Sequence, residues 1–232
     1  MLGIIGAMEE EVASLKEKMQ VETVMQLASM EFCKGSLEGK DVVVVRSGIG
    51  KVNAAICTQI LVDKFQVNAI INTGIAGSLR NEINIGDIVL SSDAMQHDMD
   101  ATGFGYAFGE IPRMETSDFE ADEKLIALAQ ECCKKVNPEV GIHIGRVVSG
   151  DQFISHRHDK EWITKRFGGC CTEMEGAAIA QAAYLNQVPF LIVRAISDKA
   201  DNSAKMDYAE FEKQAIIHSV NLIVEMVQNL AS

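Results

Sequence analysis

The sequence has few basic residues and no cluster of them. Its 232 residues include 21 Lys and Arg against 33 Asp and Glu, which gives a formal net charge of −12. Proteins that bind nucleic acid use clustered basic side chains to displace counterions from phosphates, so this balance argues strongly against duplex binding. Proline is also scarce, with 3 residues, whereas 47% of the residues are hydrophobic. We predict a globular chain that folds as one domain over residues 1–232.

The cysteines and histidines lack the spacing of a metal site. Neither Cys-x-x-Cys nor His-x₃₋₅-His occurs, and Cys132 with Cys133 and Cys170 with Cys171 are sequence neighbours. We interpret the 6 cysteines as small apolar residues packed in a reducing cytoplasm, not as a disulfide framework. The absence of a Gly-x-Ser-x-Gly motif also disfavours serine hydrolysis.

Targeting and membrane signals are weak. Residues 1–8 are apolar but precede three glutamates, whereas a signal peptide carries positive charge before a longer apolar stretch. Residues 176–193 are uncharged, but Gln181, Asn186 and Pro189 interrupt them. We interpret this window as a helix, a turn and a buried strand, and we expect a cytoplasmic protein without membrane contact.

Short apolar runs alternate with helix-length segments along the chain. The runs are nearly continuous, which is typical of strands covered on both faces in a parallel or mixed sheet. We predict strands at residues 2–7, 42–46, 69–72, 88–91, 144–148 and 190–193. We predict helices at residues 9–18, 51–65, 119–135, 175–186 and 208–229. Asp207 as N-cap and Glu210 three residues later form a capping-box pattern, and the alternation predicts an α/β fold.

The least regular region, residues 93–116, is a long loop that is rich in aromatic residues. It contains Phe104, Tyr106 and Phe108 among several glycines. Long loops in compact domains are commonly functional, and exposed aromatic side chains are commonly buried by a ligand or by another subunit. Two interpretations stay open: the loop contacts a ligand or a second subunit, or it folds onto its own core.

Glycine-bearing turns follow three predicted strands, at residues 6–8, 47–51 and 73–78. Ligands bind at the carboxyl ends of strands in open α/β sheets, where glycines let the backbone come close. The turns therefore predict a small-molecule pocket, to which Gly77 contributes. The middle turn resembles Gly-x-Gly-x-x-Gly, but Asn53 replaces the third glycine and no suitable ribose-binding acid follows. A nicotinamide dinucleotide site is therefore disfavoured.

Acidic residues stand near three of the predicted strand ends. Residues 9–11 are all glutamate, Glu173 and Glu175 flank one methionine, and Asp198 follows a core strand. Such carboxylates orient water, bind sugar hydroxyls or act as general acids when burial raises their pKa. Helix-dipole stabilisation or capping explains each of them equally well. We also expect Arg194 to pair with a nearby carboxylate such as Glu175.

Six ordered motifs carry a resemblance to a known family. They are Gly-Ala-Met-Glu-Glu-Glu-Val at 6–12, Ser-Gly-Ile-Gly-Lys-Val at 47–52, Asn-Thr-Gly-x-Ala-Gly at 72–77, Ser-Gly-Asp-x-Phe-Ile at 149–154, Glu-Met-Glu at 173–175 and Arg-Ala-Ile-Ser-Asp at 194–198. In this order the sequence resembles the 5′-methylthioadenosine/S-adenosylhomocysteine nucleosidases of the purine nucleoside phosphorylase superfamily. The resemblance runs essentially from residue 2 to residue 230.

The resemblance implies a reaction and the residues that perform it. Asp198 would protonate or hydrogen-bond adenine N7, and Glu11 would activate the attacking water. Glu175 and the Met174 backbone would hold the ribose hydroxyls. The substrates would be 5′-methylthioadenosine, S-adenosylhomocysteine and 5′-deoxyadenosine, hydrolysed to release adenine in methionine salvage.

The resemblance also implies a pocket, a fold and an assembly. Phe153 would stack near the base and the Ile154 backbone would read its edge. Other implied substrate-binding residues are Met8, Ile49, Gly77, Arg194 and Tyr208, and Phe104 and Pro112 would reach a neighbouring subunit's pocket. The family fold is a three-layer α/β/α sandwich around a central mixed, mostly parallel sheet. It is usually a homodimer without metal or organic cofactor.

Two departures from the family pattern leave alternatives open. Ile75 stands where a small hydroxylated residue is common, and Ser78 replaces the usual second glycine. Related phosphorylases place an arginine after the first strand to hold phosphate, but residues 9–11 here are acidic, which favours water as nucleophile. The alternatives are a phosphate-dependent purine nucleoside phosphorylase, a nucleosidase acting on 6-amino-6-deoxyfutalosine, and a non-catalytic nucleoside-binding protein.

Overall fold

A computed structural model describes residues 1–230. The strands are β1 (Leu2–Gly6), β2 (Gln20–Leu27), β3 (Met30–Leu37), β4 (Lys40–Arg46), β5 (Ala69–Ser78), β6 (Ile88–Gln96), β7 (Asp118–Glu120), β8 (Ile142–Ser149), β9 (Cys171–Glu173) and β10 (Phe190–Asp198). The helices are α1 (Glu9–Lys18), α2 (Lys51–Phe65), α3 (Glu123–Val136), α4 (Arg157–Phe167), α5 (Gly176–Leu185) and α6 (Ala204–Asn229).

All of these strands belong to one mixed sheet. Parallel pairings join β1 to β4 and β5, β5 to β10, and β8 to both β6 and β9. Antiparallel pairings join β10 to β6 and β5 to β9, so β5, β10, β6, β8 and β9 close a ring of neighbours. The β2–β3–β4 meander extends the sheet from β1. The ring brings the carboxyl ends of β5 and β10 close to β9.

Helices cover both faces of the sheet. α2 packs against α5, while α6 packs against α1, α3 and the central strands β5 and β10. β1 and β10 are buried along their whole length, because helices cover both sides of each strand. The α/β fold predicted from the alternating pattern, and the sandwich around a mixed sheet that the family resemblance implies, are both confirmed. No helix among residues 1–230 is long and apolar enough to cross a membrane.

The predicted helices α1 and α2 have the observed bounds, but other segments differ. The prediction that a helix starts at Phe119 is wrong, because residues 118–120 pair with β6 as β7, and Asp122 caps α3 by accepting the Leu125 N–H. The predicted N-cap Asp207 lies in the first turn of α6, whose N-cap is Ser203. β2, β3, β7 and α4 were not predicted, since their residues form no continuous apolar run, whereas β9 and the start of α5 form the strand-to-helix junction expected at residues 171–176.

The third predicted glycine turn, residues 73–78, is a strand instead. β5 continues to Ser78 and pairs with β10, Gly77 lying opposite Asp198. Glycine in a strand interior marks a close approach of another group. A Cβ atom on Gly74 would lie 2.6 Å from Glu11 Oε1, and one on Gly77 would lie 2.7 Å from Asp198 Oδ1. The two glycines therefore make room for two carboxylates.

One part of the aromatic loop packs on its own chain, and another part is exposed. β6 extends through Gln96, so the irregular segment begins later than predicted. Phe108 packs edge-on against Trp162 with ring centroids 5.3 Å apart, and the Arg166 guanidinium lies over its ring. Phe104, in a short 3₁₀ turn, is 88% exposed. The loop thus folds partly onto its own core and presents one aromatic side chain outward.

Candidate active site

A cavity of about 480 Å³ opens at the carboxyl ends of β1, β5 and β10. Nine predicted site residues line it: Met8, Glu11, Ile49, Gly77, Phe153, Met174, Glu175, Asp198 and Tyr208. Ile154 lines a small adjoining cavity together with Phe153 and Asp198. The sheet ring and the three strand ends therefore gather residues that are far apart in sequence.

Three other predicted site residues lie outside both cavities. Arg194 is buried beneath it, with 1% of its surface exposed. Phe104 and Pro112 belong to the aromatic loop and do not line the cavity of their own chain. Within residues 1–230, no group of three or more His, Cys, Asp or Glu side chains is arranged to hold a metal ion.

Glu11 is the one member of the glutamate triplet that enters the site. It is the third residue of α1, and its Oε2 accepts the backbone N–H groups of Ala7 at 2.7 Å and Met8 at 3.0 Å. Its Oε1 accepts the Ile75 N–H at 3.2 Å. Burial raises the pKa of Glu11, while the Arg194 charge and these bonds partly oppose the rise. The carboxylate is thus fixed in place and is a better base than an exposed one.

The other two members of the triplet lie on the surface. Glu9 pairs with Lys16 at 3.0 Å, and Glu10 is exposed. Their position in the first turn of α1 suits the positive end of the helix dipole. The triplet therefore divides, with one residue in the site and two on the helix surface.

Arg194 pairs with a carboxylate as expected, but its partner is Glu173 and not Glu175. Its Nη2 donates to Glu173 Oε2 and to Asn72 Oδ1, each at 2.5 Å. Glu173 also accepts the Ser149 hydroxyl and the backbone N–H groups of Glu175 and Gly176. Neighbouring residues of one short motif thus have different partners, because β9 ends at Glu173 and the chain turns there into α5.

The two glutamates of this motif have opposite pKa shifts. Burial alone would raise the pKa of Glu173, but the charge and hydrogen bond of Arg194 lower it below its ordinary value. Burial and the charge of Glu173 raise the pKa of Glu175 to about 8. The Gly50 N–H donates to Glu175 Oε1 at 2.8 Å. Glu175 therefore readily holds a proton near neutral pH.

Asp198 ends β10 and is 2% exposed. Its Oδ1 accepts the Ala200 N–H at 2.8 Å, and its Oδ2 accepts the Ser197 hydroxyl at 2.9 Å. Burial raises its pKa, which these two hydrogen bonds partly counteract. A partly desolvated carboxyl of this kind is suited to general acid catalysis.

Apolar side chains form the outer part of the cavity. The rings of Phe153 and Tyr208 meet edge to face with centroids 6.1 Å apart. The Tyr208 hydroxyl donates to Glu212 Oε1 at 2.9 Å and contacts the Met8 sulfur at 3.4 Å. Flat and thioether surfaces of this kind suit a heteroaromatic base or an alkylthio group.

Sequence reasoning missed several lining residues. Ala76, Thr172, Ser197 and Lys205 also line the cavity. Ala76 and Ser197 lie inside the motifs at residues 72–77 and 194–198, directly beside the predicted site residues Gly77 and Asp198. Their place in these motifs could have identified them as lining residues. Lys205 lies one helical turn before Tyr208 on the same face of α6, a signal that depends on knowing that the helix begins before residue 205.

Comparison with known proteins identifies close relatives of the whole chain. The model of the phosphorylase superfamily matches residues 1–228. A 5′-methylthioadenosine/S-adenosylhomocysteine nucleosidase of Staphylococcus carnosus is 44% identical over 231 residues, 99% of this chain and 100% of the relative. The Neisseria meningitidis nucleosidase of the same name, solved with methylthio-immucillin-A, superposes with a TM-score of 0.94 at 37% identity over 99% of each chain. A Helicobacter pylori futalosine hydrolase superposes with a TM-score of 0.93 at 33% identity, covering 99% of this chain and 97% of the other.

Proposed function

The chain belongs to the phosphorylase superfamily and to its 5′-methylthioadenosine/S-adenosylhomocysteine nucleosidases, and we propose that it hydrolyses the N-glycosidic bond of both nucleosides. The observation that carries this proposal is the pair of buried carboxyl groups, Glu11 and Asp198, in one apolar cavity. Both have a raised pKa, as groups that exchange protons near neutral pH require. We extend the proposal to 5′-deoxyadenosine, and we propose a role in methionine salvage and in the recycling of S-adenosylmethionine by-products.

In the proposed reaction Asp198 is the general acid. The bond between C1′ and N9 breaks with its electron pair leaving on adenine, and the Asp198 proton passes to N7. Protonation neutralises the charge that develops on the departing base, and such catalysis contributes about 10²–10⁴-fold. The Ser197 hydroxyl and the Ala200 N–H fix the carboxyl group in one orientation.

Glu11 is the general base. The oxygen of a water molecule bonds to C1′, and a proton of that water passes to Glu11, as in glycoside hydrolysis by two carboxyl groups. Gly74 and Gly77, which border the two carboxyl groups, are three residues apart in β5, or about 10 Å along a strand. The two carboxyl groups thus border different parts of one cavity, and we propose that the attacking water molecule and the ribosyl ring lie between them.

The surroundings of Glu11 favour water over phosphate as nucleophile. The backbone N–H groups of Ala7 and Met8 lie at the start of α1, where an anion would bind, and both donate to the Glu11 carboxylate. A phosphate would have to displace this carboxylate or lie beside its charge. Among residues 1–230, Lys205 is the one basic side chain in the cavity lining.

The remaining site residues are assigned to the substrate. We propose that Glu175 and the Met174 backbone hold the ribose hydroxyls, and that Phe153 and Ile154 contact the base. Met8, Ile49 and Tyr208 surround the 5′-substituent. Gly77 and the buried Arg194 contribute indirectly, because Gly77 leaves room for Asp198 and Arg194 binds Glu173 beneath the cavity.

Adenine release from a substrate panel tests the proposal. The protein is mixed with 5′-methylthioadenosine or S-adenosylhomocysteine, with and without inorganic phosphate, and adenine and the sugar product are quantified. We expect free 5′-methylthioribose from 5′-methylthioadenosine and S-ribosylhomocysteine from S-adenosylhomocysteine, each at equal rates with and without phosphate. Strict phosphate dependence with a sugar 1-phosphate product would establish a phosphorylase. Binding without turnover would establish a non-catalytic binding protein.

A second candidate substrate is 6-amino-6-deoxyfutalosine. The likeness to the H. pylori futalosine hydrolase and the apolar Ile75 in the cavity lining favour its inclusion in the panel. We expect a lower kcat/KM for it than for 5′-methylthioadenosine. A higher value would change the assigned substrate while leaving the reaction type in place.

We also propose that the protein is a cytoplasmic homodimer. Val52 on α2 is 69% exposed and Leu185 on the adjacent α5 is 62% exposed, and Phe104 protrudes from its loop. Such apolar side chains on two packed helices are typical of a protein–protein interface, and Phe104 and Pro112 would then complete the partner's pocket. The 6 buried free cysteines are typical of a reducing compartment.

Sedimentation tests the assembly. We expect the wild type to sediment as a dimer and the double variant V52E/L185E to sediment as a monomer. V24E, at an exposed valine of β2, is the matched control and is expected to remain dimeric. A monomeric wild type at micromolar concentration would refute the proposal.

A further inference from the structure

Lys51 is a lysine that the proposed reaction does not use, and it is held in a specific arrangement. It is the first residue of α2, directly after the glycine turn that carries Ile49. Its Nζ donates to Asp98 Oδ1 at 2.6 Å and to Gln96 Oε1 at 2.9 Å. The side chains of Lys51 and Asp98 are 18% and 17% exposed, so water screens this ion pair less than a surface pair.

A second link between the same elements runs through Asp151. The Lys51 backbone N–H donates to Asp151 Oδ1 at 2.8 Å, and the Asp151 N–H donates to Asp98 Oδ2 at 2.9 Å. Lys51, Asp98 and Asp151 thus close a ring of hydrogen bonds. Burial would raise the pKa of Asp98, but its bonds from Lys51 and Asp151 lower it overall, as expected for a carboxylate that stays ionised.

This ring of hydrogen bonds connects two walls of the cavity. Gly50, which precedes Lys51, donates its N–H to Glu175 Oε1 at 2.8 Å. Phe153, two residues after Asp151, lines the cavity from the loop between β8 and α4. The loop that follows β6 supplies Asp98. The ring therefore ties together the chain segments that follow β4, β6 and β8.

Gly50 fits this arrangement for two reasons. Its φ of +96° lies in the region that favours glycine, and a Cβ atom there would lie 3.1 Å from Asp151 Oδ1. Because Gly50 is directly bonded to Lys51, a displacement of the Lys51 backbone would also displace the Gly50 N–H that donates to Glu175. Such an N–H donor also favours the charged form of the carboxylate that accepts it.

We propose that Lys51 is a positioning residue, which acts through Asp98, Asp151 and Gly50 to orient the Glu175 carboxyl group toward the ribose hydroxyls. This inference rests on the proposed function, because it takes the ribose of an adenine nucleoside as the ligand of Glu175. Loss of the Lys51 side chain then weakens the recognition of the hydroxyls more than the chemistry at the base.

Steady-state kinetics of K51M test this proposal with three substrates. These are 5′-methylthioadenosine and its two analogues that lack the 2′- or the 3′-hydroxyl. In the wild type, we expect loss of the hydroxyl that Glu175 binds to lower kcat/KM, because a buried acceptor is left unpaired. In K51M we expect KM for 5′-methylthioadenosine to rise about tenfold, which corresponds to the loss of one hydrogen bond to a charged group. The hydroxyl penalty, which is the ratio of kcat/KM for 5′-methylthioadenosine to that for the analogue lacking the bound hydroxyl, should decrease by a similar factor.

Matched variants separate positioning from general destabilisation. K64M changes an exposed lysine at the other end of α2 and is expected to behave as the wild type. K51R keeps a cation for Asp98 and should restore most of the hydroxyl discrimination. D98N should reproduce the effect of K51M, and it provides the test if K51M does not fold.

One result would overturn the inference without touching the proposed function, namely an unchanged hydroxyl penalty in folded K51M or D98N. This includes the case in which kcat/KM falls by an equal factor with all three substrates. Failure of the wild type to release adenine from 5′-methylthioadenosine would instead refute the proposed function. The wild-type control therefore distinguishes the two failures.

Discussion

Glu173 accepts the backbone N–H of Glu175 at 3.0 Å, and these two buried carboxyl groups have opposite pKa shifts. Burial acts on both, but Arg194 binds Glu173 directly and keeps it ionised. Glu175 lies beside the resulting negative charge, and its pKa rises to about 8. One ion pair thus maintains a charged carboxylate in the interior and favours a proton on its neighbour.

The raised pKa of Glu175 predicts a pH-dependent stability. A carboxyl group whose pKa rises from 4.5 in the unfolded chain to about 8 in the folded protein stabilises the fold fully below pH 4.5. This contribution is lost as the pH rises toward 8. Relative to E175Q, we expect the wild type to lose on the order of a few kcal/mol of unfolding free energy across this window. Urea unfolding at intervals from pH 5 to pH 9 measures the difference, and parallel profiles for the two proteins would contradict the prediction.

Asp198→Asn removes the proposed proton donor without changing the size of the side chain. We expect kcat for adenine release to fall by about 10²–10⁴-fold, with binding of a non-hydrolysable adenine nucleoside analogue retained in calorimetry. Because the acid must be protonated, the wild-type rate should also fall as pH rises through its raised pKa. D159N, at a residue of α4 outside the cavity, is the control. Wild-type turnover in D198N would exclude the acid role.

Glu11→Gln tests the proposed base against a neighbour of the same type. Glu11 accepts three backbone N–H groups in the cavity, while Glu10 is exposed on the same helix. We expect E11Q to lose about 10²-fold or more in kcat and E10Q to retain the wild-type value. Similar kcat values for E11Q and E10Q would contradict the role of Glu11 as the general base.

Adding a methyl group at Gly74 or Gly77 should displace a carboxyl group. The new Cβ would lie 2.6 Å from Glu11 Oε1 in G74A and 2.7 Å from Asp198 Oδ1 in G77A, so each side chain must shift. We expect G74A and G77A to lose at least about tenfold in kcat/KM, since misplacement by about 1 Å is costly for catalysis. In G103A no atom lies within 4 Å of the new group, and full activity is expected. An active G77A would mean that Asp198 tolerates displacement.

Breaking the buried pair of Arg194 and Glu173 should destabilise the fold. Removing one partner leaves an uncompensated charge in the interior, and we expect R194M to lose about 3–5 kcal/mol of unfolding free energy. K16M, which removes the pairs of Lys16 with the half-exposed Glu9 and Glu31, should cost at most about 1 kcal/mol. Chemical denaturation compares the two variants, and equal losses would show that burial of the pair has no energetic consequence.

The sequence by itself determined the fold class, two helices and most of the cavity lining. The helix-length segments at residues 9–18 and 51–65 each begin directly after a glycine-bearing turn and carry lysine in their last turn, so their bounds were predictable from local pattern. The motif residues that follow β1 and β4 lie in the cavity because the carboxyl ends of these parallel strands meet at the same sheet edge. The residues that follow β9 join them because β9 pairs with the carboxyl end of β5.

Only the tertiary structure decided where the glycine motif of β5 continues as a strand and which glutamate binds Arg194. Local pattern treats Gly74 and Gly77 as turn residues, but pairing with β10 keeps this segment extended while the missing side chains admit Glu11 and Asp198. Glu173 and Glu175 belong to the same three-residue motif, so the sequence does not distinguish them as partners of Arg194. Glu173 binds Arg194 because β9 ends there and the chain then turns into α5. Contacts between residues more than a hundred positions apart are set by strand pairing, and no local sequence pattern encodes them.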